Sequence, residues 1–171
     1  MKNIIYVALA MLVLASCEKP NKIGFVDNGT VINDFQEKID VEARFKEKEE
    51  AFRKRADSIG KAFQAEAQST QAIAQKSSQK KAQELMGGLQ QKQQQLQQQM
   101  QFEQQQLQQS FQVEIDSVIV KVKDFVKDYG KTNGYTYILG TSDAAATVMY
   151  GADENDLTKT ILEALNADVK K

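Results

Sequence analysis

The sequence predicts a mainly α protein with a small β body, in which a long antiparallel α-helical hairpin, a coiled-coil arm, stands on a small β/α domain. Three observations predict it. No proline occurs between residues 33 and 129, where Gln, Glu, Lys and Ala dominate, as in long helices. Apolar residues in that span recur at heptad spacing. Short β-rich runs bounded by glycine lie on either side of it.

The composition excludes several classes of function. The 171 residues include 22 Lys and Arg, 23 Asp and Glu and no His. Without histidine there is no imidazole metal ligand and no His-based catalytic pair. A net charge of −1 argues against a nucleic-acid partner, which requires a basic face. We therefore expect no enzyme activity, no cofactor and no metal. A carboxylate group at Asp143, Asp153, Glu154 and Asp156 suggests a cation site, but acids before a helix are more often helix caps.

The first 17 residues are typical of a secretory signal. Lys2 precedes an apolar run from Ile4 to Val13, which is too short to span a membrane. The following Leu14-Ala15-Ser16-Cys17 resembles a bacterial lipobox, so we expect cleavage before Cys17 and lipidation of its thiol. The alternative is a plain signal peptide with an incidental cysteine. Residues 18–22 form a polar tether, and the lipid would hold the protein to a membrane outside the cytoplasm, where there is no ATP supply.

The body is predicted from two segments, residues 23–33 and 130–171. The run Ile23-Gly24-Phe25-Val26 indicates a strand ended by a turn at residues 27–29. Two further strands are predicted at residues 135–139 and 146–150, and a closing amphipathic helix follows Asp156, with an apolar stripe at Leu157, Ile161, Leu162 and Leu165. A body this small buries little surface, which favours oligomerisation.

The arm is predicted over residues 34–129. Two heptad stripes face each other if the chain reverses at residue 87, which would place the arm tip at Gly87 and Gly88. The expected pairs are Phe45 with Tyr129, Phe52 with Val122, Ala56 with Val118, Ile59 with Ile115, and Phe63 with Phe111. The middle of the arm is low in complexity, with 21 Gln in residues 64–112. Disorder is the alternative interpretation of such a tract.

Isolated features of the arm suggest functional roles. Gly60 is a candidate hinge, because glycine is unfavourable inside a helix; an exposed position where that cost is tolerated is the alternative. Lys76, Lys80 and Lys81 form a basic stripe that is more often a solvated face than an anion site. Scattered apolar residues of the outer arm are candidate contacts for a bound protein, with packing inside the hairpin as the alternative for Leu89, Leu96, Met100 and Leu107. The candidates are Leu85, Met86, Leu89, Leu96, Met100 and Phe102.

The order of these elements resembles the Skp/OmpH family of periplasmic chaperones. The resemblance is carried by Lys22-Ile23-Gly24-Phe25-Val26-Asp27, the long Gln-rich hairpin, the run Tyr135-Thr136-Tyr137-Ile138-Leu139, the run Val148-Met149-Tyr150, and the helix after Asp156-Leu157-Thr158. It implies a jellyfish-like homotrimer whose three arms enclose a cavity. It also implies an ATP-independent holdase that binds unfolded outer-membrane proteins in the periplasm and prevents their aggregation.

Two features distinguish this chain from the familiar basic, soluble member of that family. Residues 64–112 carry four Lys against three Glu, so we assign no lipopolysaccharide-binding residues. The lipid on Cys17 would anchor the trimer to the inner or the outer membrane. The alternative function is a structural or adaptor coiled-coil lipoprotein of the envelope without chaperone activity.

Overall fold

The computed structural model describes residues 21–142 and 145–169 of the chain. The elements are β1 (Ile23–Asp27), α1 (Asn28–Asp34), α2 (Gln36–Gln75), α3 (Gln79–Thr132), β2 (Tyr137–Thr141), a short 3-10 turn (Asp153–Asn155) and α4 (Thr158–Asp168). The fold is therefore mainly α, with long helices and a small two-stranded sheet, as the sequence predicts. No helix among the described residues is long and apolar enough to cross a membrane.

The sheet is parallel, and the whole helical arm lies between its two strands in sequence. β1 pairs with β2 from Ile23 opposite Tyr137 to Asp27 opposite Thr141. β2 begins two residues later than predicted. The turn predicted at residues 27–29 is wrong, because α1 begins there. The Asp27 carboxylate accepts a hydrogen bond from the Thr30 backbone N–H at 2.9 Å and so caps this helix.

The third predicted strand, at residues 146–150, is also wrong for the single chain. These residues belong to no strand, and the side chains of Met149 and Tyr150 are each 88% exposed. Only isolated bridges occur nearby, between Ser142 and Ala145 and between Phe25 and Asp156. β-propensity alone does not make a strand, because a strand also requires a neighbour for its backbone hydrogen bonds.

The arm reverses direction at residues 76–78, between the 40-residue α2 and the 54-residue α3. The Ser77 hydroxyl donates to the Ile73 carbonyl oxygen at 2.9 Å at the end of α2. The Ser78 hydroxyl accepts from the Lys81 backbone N–H at 3.4 Å and caps α3. Serine side chains compete with the helical backbone for hydrogen bonds and therefore favour such ends.

The predicted tip at Gly87 and Gly88 is therefore wrong. Both glycines lie inside α3, and among the described residues only Gly134 has a positive φ. Each glycine costs a helix only about 0.5–1 kcal/mol relative to alanine, and the flanking strong helix formers outweigh that cost. The signal for the turn was the serine pair, not the glycine pair.

Because the chain reverses at residues 76–78, the alignment of α2 against α3 also differs from the prediction. Phe45 contacts Phe111, with ring centroids 5.1 Å apart, instead of Tyr129. The reversal point thus moves from residue 87 to about residue 78, which slides one helix along the other by about 18 residues. Because 18 residues make about five turns at 3.6 residues per turn, the same faces meet in both registers. The heptad pattern identified the faces but could not choose between the two alignments.

Four ion pairs connect α2 to α3 along the arm in the observed register. They are Glu37 with Lys121, Arg44 with Glu114, Arg55 with Glu103, and Glu66 with Lys92. Each pair is partly exposed, so its contribution to stability is small, on the order of 0–1 kcal/mol. All four pairs nevertheless fit the same alignment of the two helices. A slipped alignment would break all of them at once and is therefore disfavoured.

One cluster of buried apolar side chains joins the body to the base of the arm. Its members among the described residues are Val26, Val31, Phe35, Val41, Phe45, Val118, Val122, Leu157, Ile161 and Leu165. The closing helix α4 and its apolar stripe are thus confirmed. The arm and the body, which the sequence divides at residues 33–34 and 129–130, share this single core. Between residues 46 and 117 no residue is fully buried.

Helix α4 attaches both the sheet and the arm through side-chain hydrogen bonds. The Thr158 hydroxyl accepts from the Asp27 backbone N–H at 2.9 Å. The Asn166 side-chain oxygen accepts from the Gln36 backbone N–H at 2.9 Å, at the first turn of α2. The chain thus ties its C-terminal helix to the start of the arm.

We expect Gly87→Ala and Gly88→Ala to stabilise the arm. A Cβ built at either position meets nothing within 4 Å, so each substitution should gain about 0.5–1 kcal/mol of helix stability. Thermal melts followed by circular dichroism would measure it. The matched control is Gly134→Ala, which should destabilise because Gly134 has a φ of 70°. Destabilisation by Gly87→Ala would instead indicate a turn at that position.

Candidate functional site

The arm beyond the shared core is the candidate functional surface, and the structure divides the predicted contact residues into two groups. Leu85, Leu89, Leu96 and Met100 are half-buried. Leu96 and Met100 line a groove together with residues of α2, so these two side chains pack in the seam between the helices. Met86 and Phe102 are exposed. Of the six candidates only these two are exposed, Met86 by 46% and Phe102 by 59%.

Three grooves run along the seam. One, of about 520 Å³, is lined by Phe45, Phe52, Leu107 and Phe111 near the base of the arm. A second, of about 660 Å³, reaches the same Phe52 and Leu107 from the other flank, past Lys48 and Ser110. The third, of about 540 Å³, lies further out, between Ile59 and Met100. Partly buried apolar side chains therefore form the floors of open grooves along the arm.

Gly60 lies in the wall of the outer groove, beside Ala56 and Phe63 and across from Leu96. The helix α2 continues through it without interruption. A Cβ at this position would meet nothing within 4 Å. Gly60 as a hinge stays a prediction, and the groove gives it room to act as one because no tight contact holds the backbone at that point.

Charge is distributed along the arm in three zones. The half nearest the body is rich in charges of both signs, with pairs such as Glu49 with Arg53 at 2.7 Å and Asp57 with Lys61 at 2.7 Å. The middle, residues 62–75 and 85–113, contains only Glu66, Lys92 and Glu103 as charged residues. The tip carries the predicted basic stripe, in which Lys81 pairs with Glu84 at 3.5 Å. The middle zone is thus almost uncharged.

The body exposes an apolar sheet face that the sequence did not reveal as a site. Ile23, Tyr137 and Leu139 project to the same side of the sheet, and the last two are 60% and 41% exposed. β2 pairs only with β1 among the described strands, so its outer edge is unpaired. The period of two along a strand separates Tyr137 and Leu139 from Ile138, but because all three are apolar the sequence does not show which side faces the core.

The remaining predicted sites give little further chemistry. The Asp156 carboxylate accepts from the Thr158 backbone N–H at 2.9 Å, at the first residue of α4, while Leu157 occupies the N-cap position. Within residues 21–142 and 145–169, no group of His, Cys, Asp and Glu could hold a metal ion. Cys17 and Asp143 lie outside the described residues.

Comparison with known proteins gives a family and a fold. A family model described as outer membrane protein (OmpH-like) matches residues 22–165. The structure is similar to the crystal structure of a protein from Caulobacter crescentus CB15 proposed to be an outer membrane chaperone (OmpH-like), with a TM-score of 0.76. The two chains are 17% identical, and the alignment covers 90% of this chain and 89% of the other. No curated protein matches the chain. At this identity the structural likeness shows the shared fold alone.

Proposed function

This chain belongs to the OmpH-like family of outer membrane proteins, and from that premise we propose that it is a holdase chaperone of the periplasm. It binds unfolded outer-membrane proteins and prevents their aggregation without ATP. The observation that carries the proposal is the arm between residues 46 and 117, where no side chain is fully buried. About 30 residues of α2 extend beyond Phe45, roughly 45 Å of helix at 1.5 Å per residue. The side chains along this length therefore form a surface and do not contribute to the protein's own core.

Weak, distributed contacts suit a holdase that must release its client without an energy source. The grooves offer apolar floors, and the Gln side chains donate and accept hydrogen bonds without charge. None of these contacts is strong alone. Arms joined to one body raise the effective concentration of each contact, so that binding is tight in sum while each contact dissociates readily.

We further propose that the body assembles into a homotrimer. Three features of the single chain support assembly: the apolar sheet face, the unpaired edge of β2 and the exposed β-rich segment 146–150. An unpaired edge next to an exposed β-rich segment is a template for strand pairing between copies. In this arrangement the predicted third strand forms on β2 of a neighbouring copy, and three arms enclose the client. A lipid on Cys17 anchors the trimer to a membrane.

Shortening the arm tests the cavity. Removing residues 57–74 together with 82–99 takes about five turns from each helix, roughly 27 Å, and retains the turn at 76–78 and the opposition of Ala56 to Met100. We expect the oligomer and its body to survive, because the shared core is untouched. Protection of a large unfolded barrel protein from aggregation, measured by light scattering, should fall severalfold, while a small barrel protein should be less affected.

The outcomes separate the candidate functions. Unchanged protection of the large client by the shortened protein would contradict a cavity mechanism. If the intact protein fails to suppress aggregation of any unfolded barrel protein, the alternative of a structural or adaptor coiled coil is favoured. That alternative is supported by the same long hairpin, and pull-down from detergent-solubilised membranes would identify the complex that it joins.

A further inference from the structure

The outward face of α3, on the side opposite the seam, is uncharged and also carries exposed apolar side chains, Phe102 and Val113. We define the α3 outer face by residues that recur every three or four positions and are all exposed: Gln91, Gln95, Gln98, Phe102, Gln105, Gln109 and Val113. The seam residues Met100, Leu107 and Phe111 lie about half a turn away at 100° per residue. The face contains no charged residue over its whole length of roughly 33 Å.

The two charged residues of this stretch of α3 lie on one of its flanks. Lys92 pairs with Glu66 and Glu103 pairs with Arg55, both across the hairpin on α2. Their side chains therefore point along the seam and away from the outer face. The outer face therefore stays uncharged, because neither neighbouring charged side chain folds over it.

The opposite surface of the same arm shows what a merely solvated helix face looks like here. Between residues 47 and 61 the outward residues of α2 have the same spacing of three and four, and all are exposed and charged: Glu47, Glu50, Lys54, Asp57 and Lys61. Lys54 and Phe102 lie at about the same height, because the alignment that brings Phe45 against Phe111 also places position 54 opposite position 102. Solubility alone would favour the same pattern on both helices.

Three exposed apolar side chains align on or beside the α3 outer face. Phe102, Val113 and Val120 are 59%, 67% and 55% exposed. Their spacings of 11 and 7 residues are close to three and two turns, so they share one line along the helix. Between Phe102 and Val113 lie the amides of Gln105 and Gln109, whereas Val120 lies beyond the charged Asp116 and outside the face. Transfer of an amide out of water costs far less than that of a charged group, and an amide can bond to a polypeptide backbone.

We propose that the α3 outer face is the surface that holds the client, and that it takes an extended, uncharged segment with apolar side chains, such as one strand of an unfolded β-barrel. This inference rests on the proposed holdase function. A membrane-spanning strand of about 9–11 residues is roughly 30–36 Å long, which matches the length of the face. Capture by amides and apolar anchors is independent of the client's net charge and therefore of salt.

Site-specific photo-crosslinking tests the assignment directly. Benzoylphenylalanine replaces Phe102 in one full-length protein and Lys54 in the other, so that the probes lie at the same height on opposite surfaces of the arm. With an unfolded barrel protein bound, crosslinking from position 102 should exceed that from position 54 at least about fivefold. Equal crosslinking, or more from position 54, would overturn the assignment of the face.

Substitution gives the second measurement. The double variant Phe102→Gln, Val113→Gln keeps the face uncharged and changes only exposed residues, so its melting temperature should be unchanged. Its affinity for the client should fall by about fivefold or more, since two apolar anchors are lost. The control Lys54→Gln should change affinity less than about twofold, and wild-type affinity should change little between low and high salt.

The two levels of inference fail differently. If the wild-type protein does not bind or protect the client, the holdase proposal fails, and the inference fails with it. If the wild-type protein protects but the double variant binds as tightly, or binding weakens steeply with salt, the function stands and the α3 outer face is not the contact surface.

Discussion

Phe35→Ala is expected to remove about 3–5 kcal/mol from the free energy of unfolding, because a fully buried phenylalanine leaves both lost burial and a cavity. Phe35 lies between α1 and α2, and its ring is part of the core that also contains Ile161 and Val118. The total free energy of unfolding of a small domain is only about 5–15 kcal/mol. This one substitution should therefore remove a large fraction of the stability and loosen the base of the arm with the body.

Urea denaturation followed by circular dichroism would measure the loss as a lower midpoint. The matched control is Ile39→Ala, four residues further along, where the isoleucine is 43% exposed. This control should lower the free energy of unfolding by less than about 1 kcal/mol. Equal losses for the two variants would show that Phe35 does not pack in a shared core, and would favour a body and an arm that are independent of each other.

Much of the fold follows from local patterns in the sequence. The absence of proline and the heptad stripes predicted two long helices, and the apolar stripe at Ile161 and Leu165 predicted the closing helix. These signals are short-range, since each depends on residues within a few turns of one another. The register of the arm is long-range. An error of about five helical turns presents the same faces, so periodicity could not detect it.

The turn at residues 76–78 is signalled by its serines and not by the glycine pair further along the chain. Two glycines inside a helix cost about 1–2 kcal/mol together, which a 54-residue helix tolerates. Ser77 and Ser78 offer hydroxyl partners for the free backbone groups at both helix ends. The ion pairs across the hairpin carried the same information: opposite charges such as Glu66 and Lys92 face each other only in the observed register.

The candidate site was predictable only in part. Phe102 was predicted as a contact residue, but in one group with Leu96 and Met100, which lie in the seam. The angular position of each residue about the helix separates them, and the same test identifies Val113. The exposed sheet face depends on the pairing of β1 with β2, two segments separated by the whole arm, and sequence spacing alone cannot give that pairing.

The sheet face leads to the prediction with the largest effect on assembly. In the proposed trimer Tyr137 and Leu139 are buried between copies, although they are exposed in the single chain. Tyr137→Lys with Leu139→Lys would place two charges in that interface, and lysine on exposed strands is a common means of preventing strand association. Loss of two apolar side chains, at roughly 1.5–3 kcal/mol each, should weaken each interface at least about 100-fold.

We therefore expect this double variant to be a folded monomer. Its helix content should be retained because both side chains project away from the core, whereas Ile138, between them, packs against Gly130 and the core. Native mass measurement in mild detergent should give three chains for the wild type and one for the variant. The control Gln105→Lys with Gln109→Lys adds the same charge on the arm and should remain a trimer. A double variant that keeps the wild-type mass would exclude this sheet face from the interface, since two buried lysines without partners could not be accommodated there.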